Sequence, residues 1–264
     1  MREALLWAAG GTGFTFGMTT LGAAVVFLFR KQAKENIQRI FLGFATGVMI
    51  AASVWSLLIP AIEEAESAGK IGWIPAAGGF VFGILFLMAL DLFMPHLHIG
   101  SKEAEGVSSS LKRTTLMVLA VTLHNIPEGM AVGLSFALAA QHGGDSALYA
   151  SAMALAIGIG IQNFPEGAAI SLPIRQEGTS AGKAFFYGSM SAIVEPVFGI
   201  SVVLIAGIIQ PFMPWMLSFA AGSMLYVVVE ELIPEAHLGE HSHVGTIGVM
   251  AGFLVMMILD VALG

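Results

Sequence analysis

The 264-residue sequence contains no cysteine, which excludes a disulfide framework, a thiolate metal site and a cysteine nucleophile. Charge is also scarce. Asp, Glu, Lys and Arg supply 11% of the residues, against about 25% in a soluble domain, so the chain cannot cover itself with a solvated surface. Basic residues are outnumbered, 11 against 18 acids for a formal net charge of -7, and no positive surface is available to a phosphate backbone. Nucleic acid is therefore excluded as a partner. No HEXXH is present, and GGTG at positions 10–13 lacks the Lys-Ser/Thr of a phosphate loop. Neither a zinc hydrolase nor a nucleotide enzyme is expected, and no prosthetic group is implied.

What the chain has is apolar length. Hydrophobic residues make up 56% and the mean hydropathy is +0.84, with 32 glycines and 10 prolines, both more frequent in membrane helices than in soluble ones. A spanning helix needs about 20 largely apolar residues. Eight such stretches follow one another at 4–29, 40–62, 71–94, 114–140, 147–173, 184–209, 212–234 and 244–262. The expectation is one all-α, polytopic transmembrane domain over 1–264. Gln210, Pro211 and Pro214 mark the turn between spans six and seven, because proline lacks the donor a continuing helix needs. The first stretch is too long for a signal peptide, and its basic cluster follows it.

Eight spans put both termini on one side. The loops after spans one, three, five and seven hold nine Lys or Arg: Arg30, Lys31, Lys34, Arg39, Lys102, Lys112, Arg113, Arg175 and Lys183. The other side holds two, Arg2 and Lys70. By the positive-inside rule the odd-numbered loops are cytoplasmic and both termini lie outside, with the cell membrane the expected location.

Two internal recurrences carry more than hydropathy. HNIPEGMAVGLS at 124–135 returns as QNFPEGAAISLP at 162–173, on consecutive and hence antiparallel spans. FATG and LIP in span two (Phe44 to Pro60) return as FAAG and LIP in span seven (Phe219 to Pro234). Copies in oppositely directed spans imply inverted repeats about an axis in the membrane plane, a transporter plan with substrate bound where the repeats meet. The expected arrangement is a 3+2+3 bundle.

Ionisable residues inside a membrane cost at least a few kcal/mol each, so His124, Glu128, Glu166 and Glu195 require compensation. His124 and Glu128 are four residues apart, Asn125 and Glu128 three, and all share one helix face. Gln162, Asn163 and Glu166 repeat the pattern. Brought together antiparallel, the copies offer one cluster of His124, Gln162, Glu128 and Glu166. A second, of Asn125, Asn163 and the same two carboxylates, lies beside it and within reach of Glu195. Pro127 and Pro165 free carbonyls one turn earlier, and nitrogen and oxygen donors without sulfur suit Zn²⁺, with Cd²⁺, Fe²⁺ and Mn²⁺ as further candidates. A selective divalent-cation channel using the same ligands is the alternative to a carrier.

HNIPEG followed by QNFPEG in the fourth and fifth of eight spans resembles the ZIP (Zrt-, Irt-like protein) metal transporters, in their GufA-like branch. The resemblance implies a divalent-metal transporter, chiefly for zinc, moving ions toward the cytoplasm with both termini outside, and the inverted repeats suit alternating access. It implies that His124, Glu128, Gln162 and Glu166 form a first metal site. Asn125, Asn163 and Glu195, with the shared Glu128 and Glu166, form a second. Many members carry histidine where Gln162 stands and an acid where Asn163 stands.

Other polar residues sort by side. Glu63, Glu64, Glu66, His142, Asp145 and Asp260 belong to the outer side, where they are candidates for concentrating cations at an entrance to the pathway. Asp91, His96, His98, Glu230, Glu231, Glu235, His237, Glu240, His241 and His243 belong to the cytoplasmic side, where they are candidates for a metal exit path. Gly13 with Gly17 and Gly79 with Gly83 permit close helix contact, either within the molecule or in a homodimer.

Overall fold

The computed structural model describes residues 2–28, 35–93, 113–176, 178–206, 208, 210–236 and 243–263, and among them there is no strand. The first span is α1 (Arg2–Ala23) with the short α2 (Val25–Leu28), and the second is α3 (Glu35–Ala52), a π-helical turn (Ser53–Leu58) and α4 (Ile59–Ser67). Spans three to five are single helices: α5 (Trp73–Phe93), α6 (Arg113–Gln141) and α7 (Ser146–Gln176). The sixth is α8 (Ala181–Met190) and α9 (Val194–Ala206), parted by a turn over 191–193. The seventh is α10 (Met213–Val227), a second π-helical turn (Val228–Leu232) and α11 (Ile233–Ala236), and the eighth is α12 (His243–Leu263).

Seven of these spans are long and apolar enough to cross a membrane by length and composition alone. The remaining one, α6, has the length of a span at 29 residues. It lies in the middle of the bundle, with Val121, Leu123 and nearly every side chain from Asn125 to Ala139 buried. Boundaries move by a few residues from those read in the sequence. Ser180 caps α8 by accepting the Lys183 amide at 3.4 Å, so span six starts earlier than expected. A 3₁₀ turn over Gln210–Phe212 ends the span-six connection, and Pro214 sits in the first turn of α10.

The inverted repeat is visible in the packing. α12 lies along α3 as α5 lies along α10, and α1 lies along α7 as α9 lies along α6. Spans one to three therefore correspond to spans six to eight, and span four to span five. The glycines repeat this residue by residue. A Cβ at Gly252 would come within 2.0 Å of the Phe44 carbonyl oxygen, and one at Gly83 within 2.1 Å of the Phe219 carbonyl. One turn away, Gly248 faces the Ile40 carbonyl at 2.5 Å and Gly79 faces that of Trp215 at 2.4 Å. With no hydrophobic drive between helices in lipid, such backbone contact is what holds these pairs together. Gly79 and Gly83 thus serve internal packing. Gly13 and Gly17 face open space.

Both π-helical turns stand immediately before an Ile-Pro pair, Ile59-Pro60 and Ile233-Pro234. The first holds six residues and the second five, which absorbs the one-residue difference between the Phe44-to-Pro60 and Phe219-to-Pro234 spacings. One face of the molecule gathers the turns expected outside. Lys70 Nζ reaches the Pro211 carbonyl at 3.3 Å, and His142 Nε2 lies 3.1 Å from Glu64 Oε2. Gly143 and Gly144, both at positive φ near +70° to +78°, allow the tight reversal from α6 to α7 on that face. Arg175 donates to the Val26 carbonyl at the opposite face.

Candidate metal centre

The hexads of α6 and α7 meet in the interior, and both helices run through Pro127 and Pro165 without a break. Asn125, Glu128, Gln162, Asn163 and Glu195 are buried, while His124 and Glu166 are half-buried. Gln162 Nε2 donates to Glu128 Oε1 at 2.8 Å, and Asn163 Nδ2 donates to Glu195 Oε1 at 2.9 Å. Glu128 has Glu166 and Glu195 as its charged neighbours, so three carboxylates converge. Glu166 in turn lies within reach of His124, Asn125 and Glu231.

The dyad organises the supports of this centre. Asn125 Nδ2 donates to the Ser191 carbonyl at 3.3 Å, and Asn163 Nδ2 donates to the Thr15 carbonyl at 3.4 Å. A Cβ on Gly129 would strike the Glu195 carbonyl at 2.4 Å, and one on Gly167 would strike the Thr19 carbonyl at 2.0 Å. Thr15 is related to Ser191, and Thr19 to Glu195, by the same sequence separation. The third carboxylate therefore has a threonine as its symmetry mate, and the centre is two-fold in backbone but not in charge.

The donors are engaged and the acceptors are not. Asn125 Oδ1, Glu128 Oε2, Gln162 Oε1, Asn163 Oδ1, Glu166 Oε1 and Glu195 Oε2 are all buried without a hydrogen-bond donor from the protein. Buried polar atoms are nearly always satisfied. Six lone acceptor oxygens around three carboxylates fit a cation and nothing anionic. Among the described residues no three His, Asp or Glu side chains close on one point as a finished cage. The oxygens come partly from amides, and His124 forms an ion pair with Glu231 while remaining a charged neighbour of Glu166.

Glu231 was expected on the exit path, and its position in the second π-helical turn puts it against the centre itself. Near it, Tyr226 is within hydrogen-bond reach of Asp91, with Glu230 close by. Glu235 falls in α11. His96, His98, His237, Glu240 and His241 lie outside the described residues. Toward the opposite face, Asp260 is buried and accepts from Ser56 Oγ at 2.7 Å and Ser151 Oγ at 3.5 Å, with Oδ2 unpartnered. Asp145 has a structural task, capping α7 through the amides of Ala147 and Leu148 at 2.9 and 3.1 Å.

Sequence reasoning missed Ser56, Ser151 and Tyr226, and the carbonyls of Thr15 and Ser191. One signal was present. Met88-Ala89-Leu90-Asp91 in span three returns as Met257-Ile258-Leu259-Asp260 in span eight, pairing the two aspartates through the dyad.

A family model described as ZIP Zinc transporter matches residues 96–260. The chain is similar to zinc transporter ZIP11 of Homo sapiens, at 38% identity with 96% of each chain covered. It is 38% identical to zinc transporter GufA of Myxococcus xanthus, over 93% of this chain and 94% of that relative. It is 37% identical to zinc transporter ZIPB of Bordetella bronchiseptica, over 98% of this chain and 82% of that relative.

Proposed function

The chain belongs to the ZIP zinc transporter family, and from that premise we propose that it carries Zn²⁺ across the membrane toward the cytoplasm by alternating access, through the centre between α6 and α7. The observation that carries this reading is the set of six buried acceptor oxygens with no donor. His124, Glu128, Gln162 and Glu166 supply a first zinc site. Asn125, Asn163 and Glu195, with the shared Glu128 and Glu166, supply a second beside it. Glu128 is common to both, with Glu166 and Glu195 as its charged neighbours. Cd²⁺, Fe²⁺ and Mn²⁺ suit the same donors. Both termini face outward, and the protein resides in the cell membrane.

In this reading α1, α6, α7, α8 and α9 move as a carrier block against a frame of α3, α4, α5, α10, α11 and α12, a division that keeps the close α1–α7, α6–α9, α3–α12 and α5–α10 pairs intact. Movement of the block against the frame opens the centre alternately toward Asp260 and toward Asp91, Tyr226 and Glu230. A bound dication offsets the carboxylates and lowers the cost of taking them through a dry barrier. Zinc uptake into proteoliposomes tests the assignment: Glu128→Ala abolishes uptake of radiolabelled zinc, and transport retained at the parent rate would remove Glu128 from the centre.

A further inference from the structure

A carrier that works by alternating access must cross twice in each cycle, once loaded and once without its cation. The loaded crossing is compensated by the ion. On the return, three carboxylates have to pass through the same barrier with nothing of opposite charge between them, and bare buried carboxylates are costly.

Gln162 and Asn163 occupy adjacent positions on α7, and each aims an N–H at a different carboxylate of the centre: Gln162 at Glu128 (2.8 Å) and Asn163 at Glu195 (2.9 Å). The same two amides have their oxygens, Gln162 Oε1 and Asn163 Oδ1, buried and unpartnered. An amide is the one side chain of this size that carries a donor pair and an acceptor on a single rotatable plane. A carboxylate in either position would have only acceptors to offer and would add charge. Turned one way, the amide presents oxygen to a cation, and turned the other way it presents N–H to the carboxylate that cation would bridge. The same Nδ2 of Asn163 also donates to the Thr15 carbonyl at 3.4 Å, so both of its donors are engaged in this orientation.

We propose that Gln162 and Asn163 stand in for the cation, their N–H groups satisfying Glu128 and Glu195 while the carrier returns unloaded. This rests on the zinc-site reading above, and it adds a rate-setting role for two residues otherwise regarded only as ligands. The chemistry requires no change of protonation. The dyad is broken at this level: Asn125, the mate of Asn163, donates to the Ser191 carbonyl and lies within hydrogen-bond reach of Glu166, and the mate of Gln162 is His124, which pairs with Glu231.

The test compares two modes of flux in proteoliposomes with radiolabelled zinc. Net uptake into zinc-free vesicles requires the unloaded return, whereas zinc–zinc exchange at equal concentrations on both sides does not. Asn163→Asp removes the donor at constant shape, and Gln162→Met removes donor and acceptor without adding charge. Each variant lowers the ratio of net uptake to exchange by about tenfold or more, the loss that one hydrogen bond to a charged group represents. Thermal melting of the purified variants confirms that each is folded. Equal loss in both modes, or no change in the ratio in either folded variant, overturns the proposal. Parent protein that exchanges no zinc, or Glu128→Ala that transports normally, overturns the underlying site assignment instead.

Discussion

Gly129 offers the sharpest link between helix packing and the proposed metal centre. Replacing it by alanine puts a Cβ 2.4 Å from the Glu195 carbonyl oxygen and 2.5 Å from the Glu195 Cα, both backbone atoms that cannot swing aside. Carbon atoms in contact sit about 3.5 Å or more apart, so α9 must retreat from α6 by roughly 1 Å at this level. Glu195 rides on that backbone. Metal–ligand distances tolerate about ±0.2 Å, so the displacement is several times what the centre can absorb. The expected outcome for Gly129→Ala is a loss of about 1–3 kcal/mol in stability from overpacking, together with a roughly 10- to 100-fold weaker zinc dependence of uptake. Gly133→Ala is the internal control. Its Cβ would lie 2.3 Å from the Gly199 carbonyl, an equally severe overlap, but one turn farther from Glu128. The two variants should melt alike in detergent, followed by fluorescence of the 4 tryptophans, and differ in zinc KM. Equal KM shifts in both, or an unshifted KM in a destabilised Gly129→Ala, would refute the claim that this contact sets the position of Glu195.

Two further outcomes test the fold. Gly83→Ala must displace the Phe219 carbonyl, 2.1 Å from the new Cβ, and should lower the melting temperature, whereas Gly17→Ala meets nothing within 4 Å and should leave it unchanged or raise it. Ser56→Ala removes the 2.7 Å hydrogen bond to buried Asp260 and should cost about 1.5–3 kcal/mol, read from the same melts; a cost near zero would mean that Ser56 does not satisfy this carboxylate.

Much of the architecture was legible because membranes restrict what a chain can do. Backbone groups in lipid must be satisfied within the segment, so an apolar run of sufficient length has one solution. The recurrence of HNIPEG as QNFPEG identified the central pair, and the LIP copies in spans two and seven identified the flanking repeats. His124 was harder. Its spacing from Glu128 on α6 is that of a shared face, yet its imidazole pairs with Glu231 of the opposite repeat, because the π-helical turn before Ile233 brings that carboxylate to the same depth. Asp145 looked like a cation attractor and is a helix cap.

The sequence by itself determined that this chain is an all-α, polytopic membrane protein and that its middle is a duplicated set of carboxylates and amides. Those follow from composition, length and recurrence, which are local properties. Only the tertiary structure decided that span one packs on span five and span three on span seven, that Asn125 and Asn163 are anchored by the carbonyls of Ser191 and Thr15, and that Gln162 and Asn163 turn their donors toward Glu128 and Glu195. Carbonyl anchors are the same atom in every residue, and glycine contacts join helices distant in sequence. Neither leaves a mark in the order of side chains, and both become definite only when the helices have closed on one another.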